Sequence, residues 1–148
     1  MNIKLESTSC KEGRLSTYII DTETGEFVGS AEGHVGRRNE LVMVIKVNPL
    51  LHKKGIGFSA FNLLFNCLSK TVVIDSIVGA WYEDEEFSYL EGGMSTNLLV
   101  FQRNLDCGMS VEEAALNTPT GKWASKVGYN HVTIESCNSK KVEVLFSK

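Results

Sequence analysis

The sequence predicts a mixed α/β fold: a mostly antiparallel sheet with a central parallel βαβ unit and helices on both faces. Three patterns predict it. Short alternating segments separated by polar, glycine-containing turns open the chain, as in an antiparallel meander. An apolar run, Leu41 to Val47, then passes through a glycine-rich turn into residues apolar at helical spacing, and a β-branched run, Thr71 to Trp81, follows. Two strands joined by a helix are expected to be parallel. Helical segments and a closing pair of alternating segments complete the chain.

Each element has a local reason. Asn2 to Glu6 puts Ile3 and Leu5 on one face of a first strand, and Ser7 to Gly13 reads as loop. Leu15 to Ile20 and Phe27 to His34 are strands joined by the polar turn Asp21 to Gly25. Gly36 to Asn39 turns into the strand Leu41 to Val47, which Asn48-Pro49 stops because proline cannot continue the ladder. The helix from Gly57 to Ser69 carries its apolar face on Phe58, Phe61, Leu64, Phe65 and Leu68, with Cys67 assigned to the core. Thr71 to Trp81 is expected to be one long strand, apolar on both faces as central strands are. Ser95 or Thr96 caps a helix ending at Asp106. Ser110 to Glu113 is a capping box for a short helix through Leu116. Asn117 then caps a helix with Pro119 in its first turn, closed by Gly128. Tyr129 to Glu135 and Lys141 to Phe146 form the last hairpin.

At 148 residues the chain fits a single domain with a real core, residues 1–148. A net charge of −3 argues against a nucleic-acid surface. Cys10, Cys67, Cys107 and Cys137 are far apart, with no Cys-x-x-Cys and no nearby Cys/His cluster, so no metal is expected. The N-terminus does not read as a secretory leader, and the longest apolar run is too short to cross a bilayer. The expectation is a reduced, cytoplasmic protein with no membrane partner.

The stretch Val44 to Ala60 carries the chemistry. His52-Lys53-Lys54-Gly55-Ile56-Gly57 joins the end of a strand to the start of a helix. Glycines let backbone N–H groups turn toward a ligand, and a helix start presents unpaired N–H groups of partial positive charge. Two lysines add formal charge. The stretch is therefore an anion cradle or an ordinary strand–helix turn with two solvated lysines. Gly121-Lys122 does not make a P-loop, because Leu116 stands at the first glycine position and Trp123 at the Ser/Thr position. His34, His52 and His131 are scattered, which gives no basis for a triad. The acidic run Glu83-Asp84-Glu85-Glu86 is a solvated loop or a cation-attracting patch. It follows the C-terminal end of a central strand, the edge where ligands gather in parallel βα arrangements.

These residues resemble the Gcn5-related N-acetyltransferase (GNAT) superfamily. His52 to Gly57 is similar to its Gln/Arg-x-x-Gly-x-Gly/Ala signature, with His52 at the Gln/Arg position, between the fourth strand and the next helix. Asn117 to Tyr129 is similar to its late helix: Asn117 and Gly128-Tyr129 match, Thr120 stands at a small-residue position, and Ala124 replaces the usual Tyr. The resemblance runs from about Leu15 to the C-terminus. The helices that many members carry between the first two strands have no room here, and Thr96 to Leu116 supplies extra helix before the late one.

The resemblance implies acetyl-CoA as co-substrate, with no metal. Its pyrophosphate would bind His52, Lys53, Lys54, Gly55, Ile56, Gly57 and Phe58, largely through backbone N–H groups. Its pantetheine would slot between splayed fourth and fifth strands and pair with the backbone at Ile45 and Val47. Asn117 would reach the cofactor from the late helix. The acceptor would be a primary amine of a small molecule or protein, cationic if the acidic run selects it, and a homodimer is an allowed assembly. Glu83 is the first candidate for the base and Glu40 the second. Ala124 cannot protonate the departing thiolate as the family's Tyr does. Two other readings stay open: a catalytically silent GNAT-fold module that binds CoA or a protein partner, and a nucleotide-phosphate binder using the same loop.

Overall fold

Polar turns cut the first half of the chain into strands too short and too alternating to be anything but a meander. In the computed structural model, which describes residues 2–51, 55–83 and 96–148, four such strands form first. They are β1 (Ile3–Lys11), β2 (Arg14–Asp21), β3 (Phe27–Val35) and β4 (Glu40–Val47). A short 3-10 turn, Pro49–Leu51, follows β4, and helix α1 spans Ile56–Ser69. The remaining elements are β5 (Ser76–Tyr82), α2 (Thr96–Asp106), α3 (Val111–Leu116), α4 (Pro119–Lys126), β6 (His131–Cys137) and β7 (Lys141–Ser147). Among the described residues, seven strands, mostly antiparallel, together with these helices give the mixed α/β class the sequence predicts. His52, Lys53, Lys54, Asp84, Glu85, Glu86 and the capping candidate Ser95 lie outside the described residues.

The chain forms two compact units, residues 1–75 and 76–148. In the first, consecutive strands pair antiparallel in the order β1-β2-β3-β4. The turns obey their residues: Gly25 has φ 74, and Asn39 takes φ 57 at the β3–β4 turn. Helix α1 buries Ile56, Ala60, Phe61, Leu64 and Leu68. Small residues bring it close to the sheet, since a Cβ on Gly33 would lie 3.1 Å from Leu64 and 3.2 Å from Leu68. Thr17, buried in the same unit, spends its hydroxyl on the Ala31 carbonyl at 2.9 Å.

Three expectations fail here. β1 does not stop at Glu6 but runs to Lys11, with a register shift between Ser7 and Ser9 that lets a polar segment stay paired with β2. The stretch 71–75 is not strand. Thr71 and Val72 both donate their N–H to the Leu68 carbonyl, at 3.2 and 3.1 Å, so the β-branched residues close α1 instead. Cys67 is exposed, not core, because it lies a third of a turn round from the buried Leu68.

In the second unit β7 lies between β5 and β6, antiparallel to both. The inner faces of these strands bury Ile77, Trp81, Val142, Val144 and Phe146. Trp81 meets Phe101 of α2 at 6.1 Å between ring centroids and Phe146 at 6.4 Å. The Ser110 half of the predicted capping box forms: Ser110 accepts a hydrogen bond from the Glu113 N–H at 3.2 Å. The predicted cap of α4 does not. Thr118, not Asn117, is the N-cap, accepting from the Gly121 N–H at 3.1 Å. Pro119 occupies the first helical position, and that fixes the cap at the residue before it. Among the described residues no helix is long and apolar enough to cross a membrane.

Gly29 yields the first prediction. A Cβ there would stand 2.1 Å from the Lys46 carbonyl oxygen, backbone that cannot swing away. Gly29→Ala should lower the free energy of unfolding by about 1–3 kcal/mol or more, read by denaturant titration.

Candidate functional site

The end of β4 and the start of α1 are built around one apolar cluster. Val47, Ile56, Ala60, Ile19, Val28 and Ala31 are buried together, with Ile45 and Leu51 packed against them. Three residues named from sequence, Ile45, Val47 and Ile56, thus meet in space. Their packing fixes where the strand stops and the helix begins.

Strand parity then decides where the backbone of β4 points. Asn48 donates to the Val28 carbonyl at 2.9 Å, and Gly36 donates to the Glu40 carbonyl at 2.9 Å. Both pairs lie in the register that matches Val47 with Gly29 and Ile45 with Ala31. In an antiparallel ladder the bonded pairs alternate with non-bonded ones. The even-numbered residues of β4 therefore bond β3, and the N–H and C=O groups of Ile45 and Val47 point away from it.

The helix start is equally defined. Gly55 stands at the N-cap with φ 76 and ψ 4, a left-handed conformation that favours glycine. The Gly55 carbonyl takes the Ser59 N–H at 3.1 Å. The N–H groups of Ile56 and Gly57 precede that bond and lie in the turn where helix geometry offers no acceptor. Among the described residues no side chain caps this end, and the first turn of α1 holds no acidic residue. The positive pole of the helix thus meets no carboxylate from its own first turn. Phe58 is half-buried and its ring lies 6.3 Å from that of Phe61.

The other named residues belong to the second unit. Glu83 follows β5, half-buried, with its N–H donating to the Lys140 carbonyl at 2.9 Å. Asn117 is exposed at the end of α3, and its amide nitrogen donates to the Glu113 carbonyl at 2.8 Å. The N-terminal amides of α4 are spent within the unit: Thr120 donates to Asn97 Oδ1 at 3.0 Å, and Gly121 to Thr118. Ala124 is fully buried, and its carbonyl accepts the Tyr129 N–H at 2.9 Å. Glu40, the second candidate base, is half-buried and lies 4.0 Å from the Arg38 guanidinium.

One polar cluster escaped the sequence reading. The Tyr82 hydroxyl donates to Glu143 Oε1 at 2.6 Å, and the Lys141 ammonium lies 3.1 Å from the same oxygen. That ammonium also sits 5.5 Å from the centre of the Tyr82 ring. The Tyr82 hydroxyl, followed by the Lys141 ammonium, holds the Glu143 carboxyl below its ordinary 4.5. Lys141 and Glu143 alternate along β7 in plain view, but only the β5–β7 register brings Tyr82 beside them.

No family model matches the chain, and no curated protein does. Solved structures match over almost its whole length. The ribosomal-protein-S18-alanine N-acetyltransferase from Escherichia coli aligns at 15% identity and a TM-score of 0.52, covering 92% of this chain and 68% of that one. An aminoglycoside 6'-N-acetyltransferase complexed with coenzyme A aligns at 15% identity and 0.52, covering 91% and 73%. A GCN5-related N-acetyltransferase from Kribbella flavida aligns at 10% identity and 0.52, covering 95% and 70%.

The Glu143 cluster gives a prediction of direction. Its carboxyl should titrate below 4.5, and Tyr82→Phe should move it up toward that value in a side-chain NMR titration. Because the folded pKa is the lower one, its contribution to stability is present above the unfolded pKa. That contribution is lost as pH falls through the folded pKa.

Proposed function

Because the chain carries the fold of the Gcn5-related N-acetyltransferases, we propose that it transfers the acetyl group of acetyl-CoA to a primary amine. The observation that carries this reading is the left-handed Gly55 opening α1 at the end of β4. In this reading the first amides of α1 face a ligand, next in sequence to two lysines. An anion as large as a pyrophosphate suits such a cradle.

In this reading Gly55, Ile56, Gly57 and Phe58 hold the pyrophosphate of acetyl-CoA, with His52, Lys53 and Lys54 contributing from the same loop. The backbone of Ile45 and Val47 pairs with the pantetheine, which the direction of their N–H and C=O groups supports. Asn117 meets the cofactor through Oδ1, its amide nitrogen being turned to Glu113. The amine nitrogen attacks the thioester carbonyl, forming the C–N bond as the C–S bond breaks. The proton lost by the amine ends on the departing CoA thiolate. Holding the two reactants in line and stabilising the developing oxyanion supply most of the acceleration. Glu83 is the proposed proton acceptor. No phenol stands at position 124, so the thiolate takes its proton from another group or from water. The exposed, unbonded thiols of Cys67, Cys107 and Cys137 suit a reducing compartment, and a cytoplasmic location belongs to the proposal.

The buried Ala124 also favours a second reading, a GNAT-fold protein that binds CoA or a protein partner without turnover. An amine panel separates the two: release of free CoA thiol with any amine supports transfer, and silence throughout supports the binding protein.

Calorimetry tests the cradle. Acetyl-CoA and CoA should bind and ATP should not; absence of acetyl-CoA binding would sink the proposal. Gly57→Glu should weaken acetyl-CoA binding about tenfold or more, since it sets a carboxylate against the bound phosphates at the helix start. Unchanged affinity would mean that the pyrophosphate lies elsewhere.

A further inference from the structure

We propose that Tyr82 and Glu143 form a recognition site for a primary alkylammonium group, occupied in this structure by the chain's own Lys141, and that its ligand is the amine acceptor. The acceptor assignment rests on the N-acetyltransferase reading; the ammonium site does not.

The argument starts from what Lys141 does. Its ammonium lies 3.1 Å from Glu143 Oε1 and 5.5 Å from the centre of the Tyr82 ring. A carboxylate beside an aromatic face is the chemistry that recognises an alkylammonium: charge and hydrogen bond from one, quadrupole from the other. The pair is preorganised, because the Tyr82 hydroxyl donates to that same carboxylate oxygen at 2.6 Å and fixes both side chains. The Lys141 and Glu143 side chains keep 43% and 33% of their exposure, so a ligand can reach the carboxylate from solvent. Across the ladder from Glu143 stands Ser136. Its Oγ is buried and has no hydrogen-bond partner among the described residues, which leaves a polar group unspent on the same face.

Lys141 is then a tethered competitor. Its ammonium is chemically the same as that of a linear aliphatic amine, and its tether gives it a high effective concentration. A substrate amine must displace it. Because displacement exchanges one ammonium for another, the carboxylate stays paired throughout. A neutral alcohol of the same length gains no such exchange.

The test is an amide NMR titration with n-butylammonium chloride, using 1-butanol as the neutral control. Butylammonium should shift the amides of Tyr82, Lys141 and Glu143, and butanol should not. Lys141→Met removes the competitor and keeps the stem; it should bind butylammonium about threefold to fivefold tighter than the parent. Adding Glu143→Gln should abolish that gain, and Tyr82→Phe, which keeps the ring, should reduce it. Equal response to butanol, or no gain in Lys141→Met, or a gain that survives Glu143→Gln, would overturn the site. Acetyl-CoA calorimetry on the same samples separates the two readings. Ammonium binding without acetyl-CoA binding removes the acceptor assignment and leaves the site. Acetyl-CoA binding without an ammonium response removes the site and leaves the N-acetyltransferase.

Discussion

Close approach between α1 and the sheet of the first unit governs everything that follows in that unit. Gly33, Ala31 and Ala60 present almost no side chain where helix and strands meet, so Leu64 and Leu68 come to rest on backbone. A helix seated that closely has little freedom to slide, because the interior is packed like a crystal. Its N-terminus is therefore fixed against the end of β4, where Ile56 locks into Val47 and Ile45. Gly55 opens the helix in a left-handed conformation. A rigid cradle is worth more to a ligand than a mobile one, since less ordering is required on binding.

The elements that were legible in the sequence are those whose cause is local. The meander, α1, the Ser110 capping box and the closing hairpin each depend on residues within a few positions of one another. Errors arose where a distant or competing demand prevailed. The run 71–75 has the composition of a strand, but the end of α1 takes the N–H groups of Thr71 and Val72. Asn117 and Thr118 are both good caps, and proline at position 119 decides for Thr118. At the candidate site, glycines and helix spacing marked the start of α1, while the direction of the β4 backbone needed the β3 register. The Tyr82–Glu143–Lys141 cluster needed the pairing of β5 with β7, which no local pattern encodes.

The two halves of the proposed chemistry stand on different ground. Cofactor binding rests on backbone, and a fold can retain backbone geometry while side chains change. That fits a chain that shares 10% to 15% identity with solved N-acetyltransferases yet aligns over most of its length. In the proposed reaction acid–base chemistry would rest on side chains, and position 124 offers only a methyl group. Thiolate is a tolerable leaving group, so the proposal puts the load on positioning.

Gly29 has a consequence for how the chain finds its fold. A slip of β3 against β4 by one residue would turn every side chain to the wrong face and is strongly disfavoured. A slip by two keeps the faces, and so is the dangerous error. Such a slip can bring Ala31 to the position that Gly29 fills, and on the backbone that Gly29 holds its Cβ would strike the Lys46 carbonyl. One missing methyl thus acts as a checksum on the pairing: the correct register is the one that closes without collision.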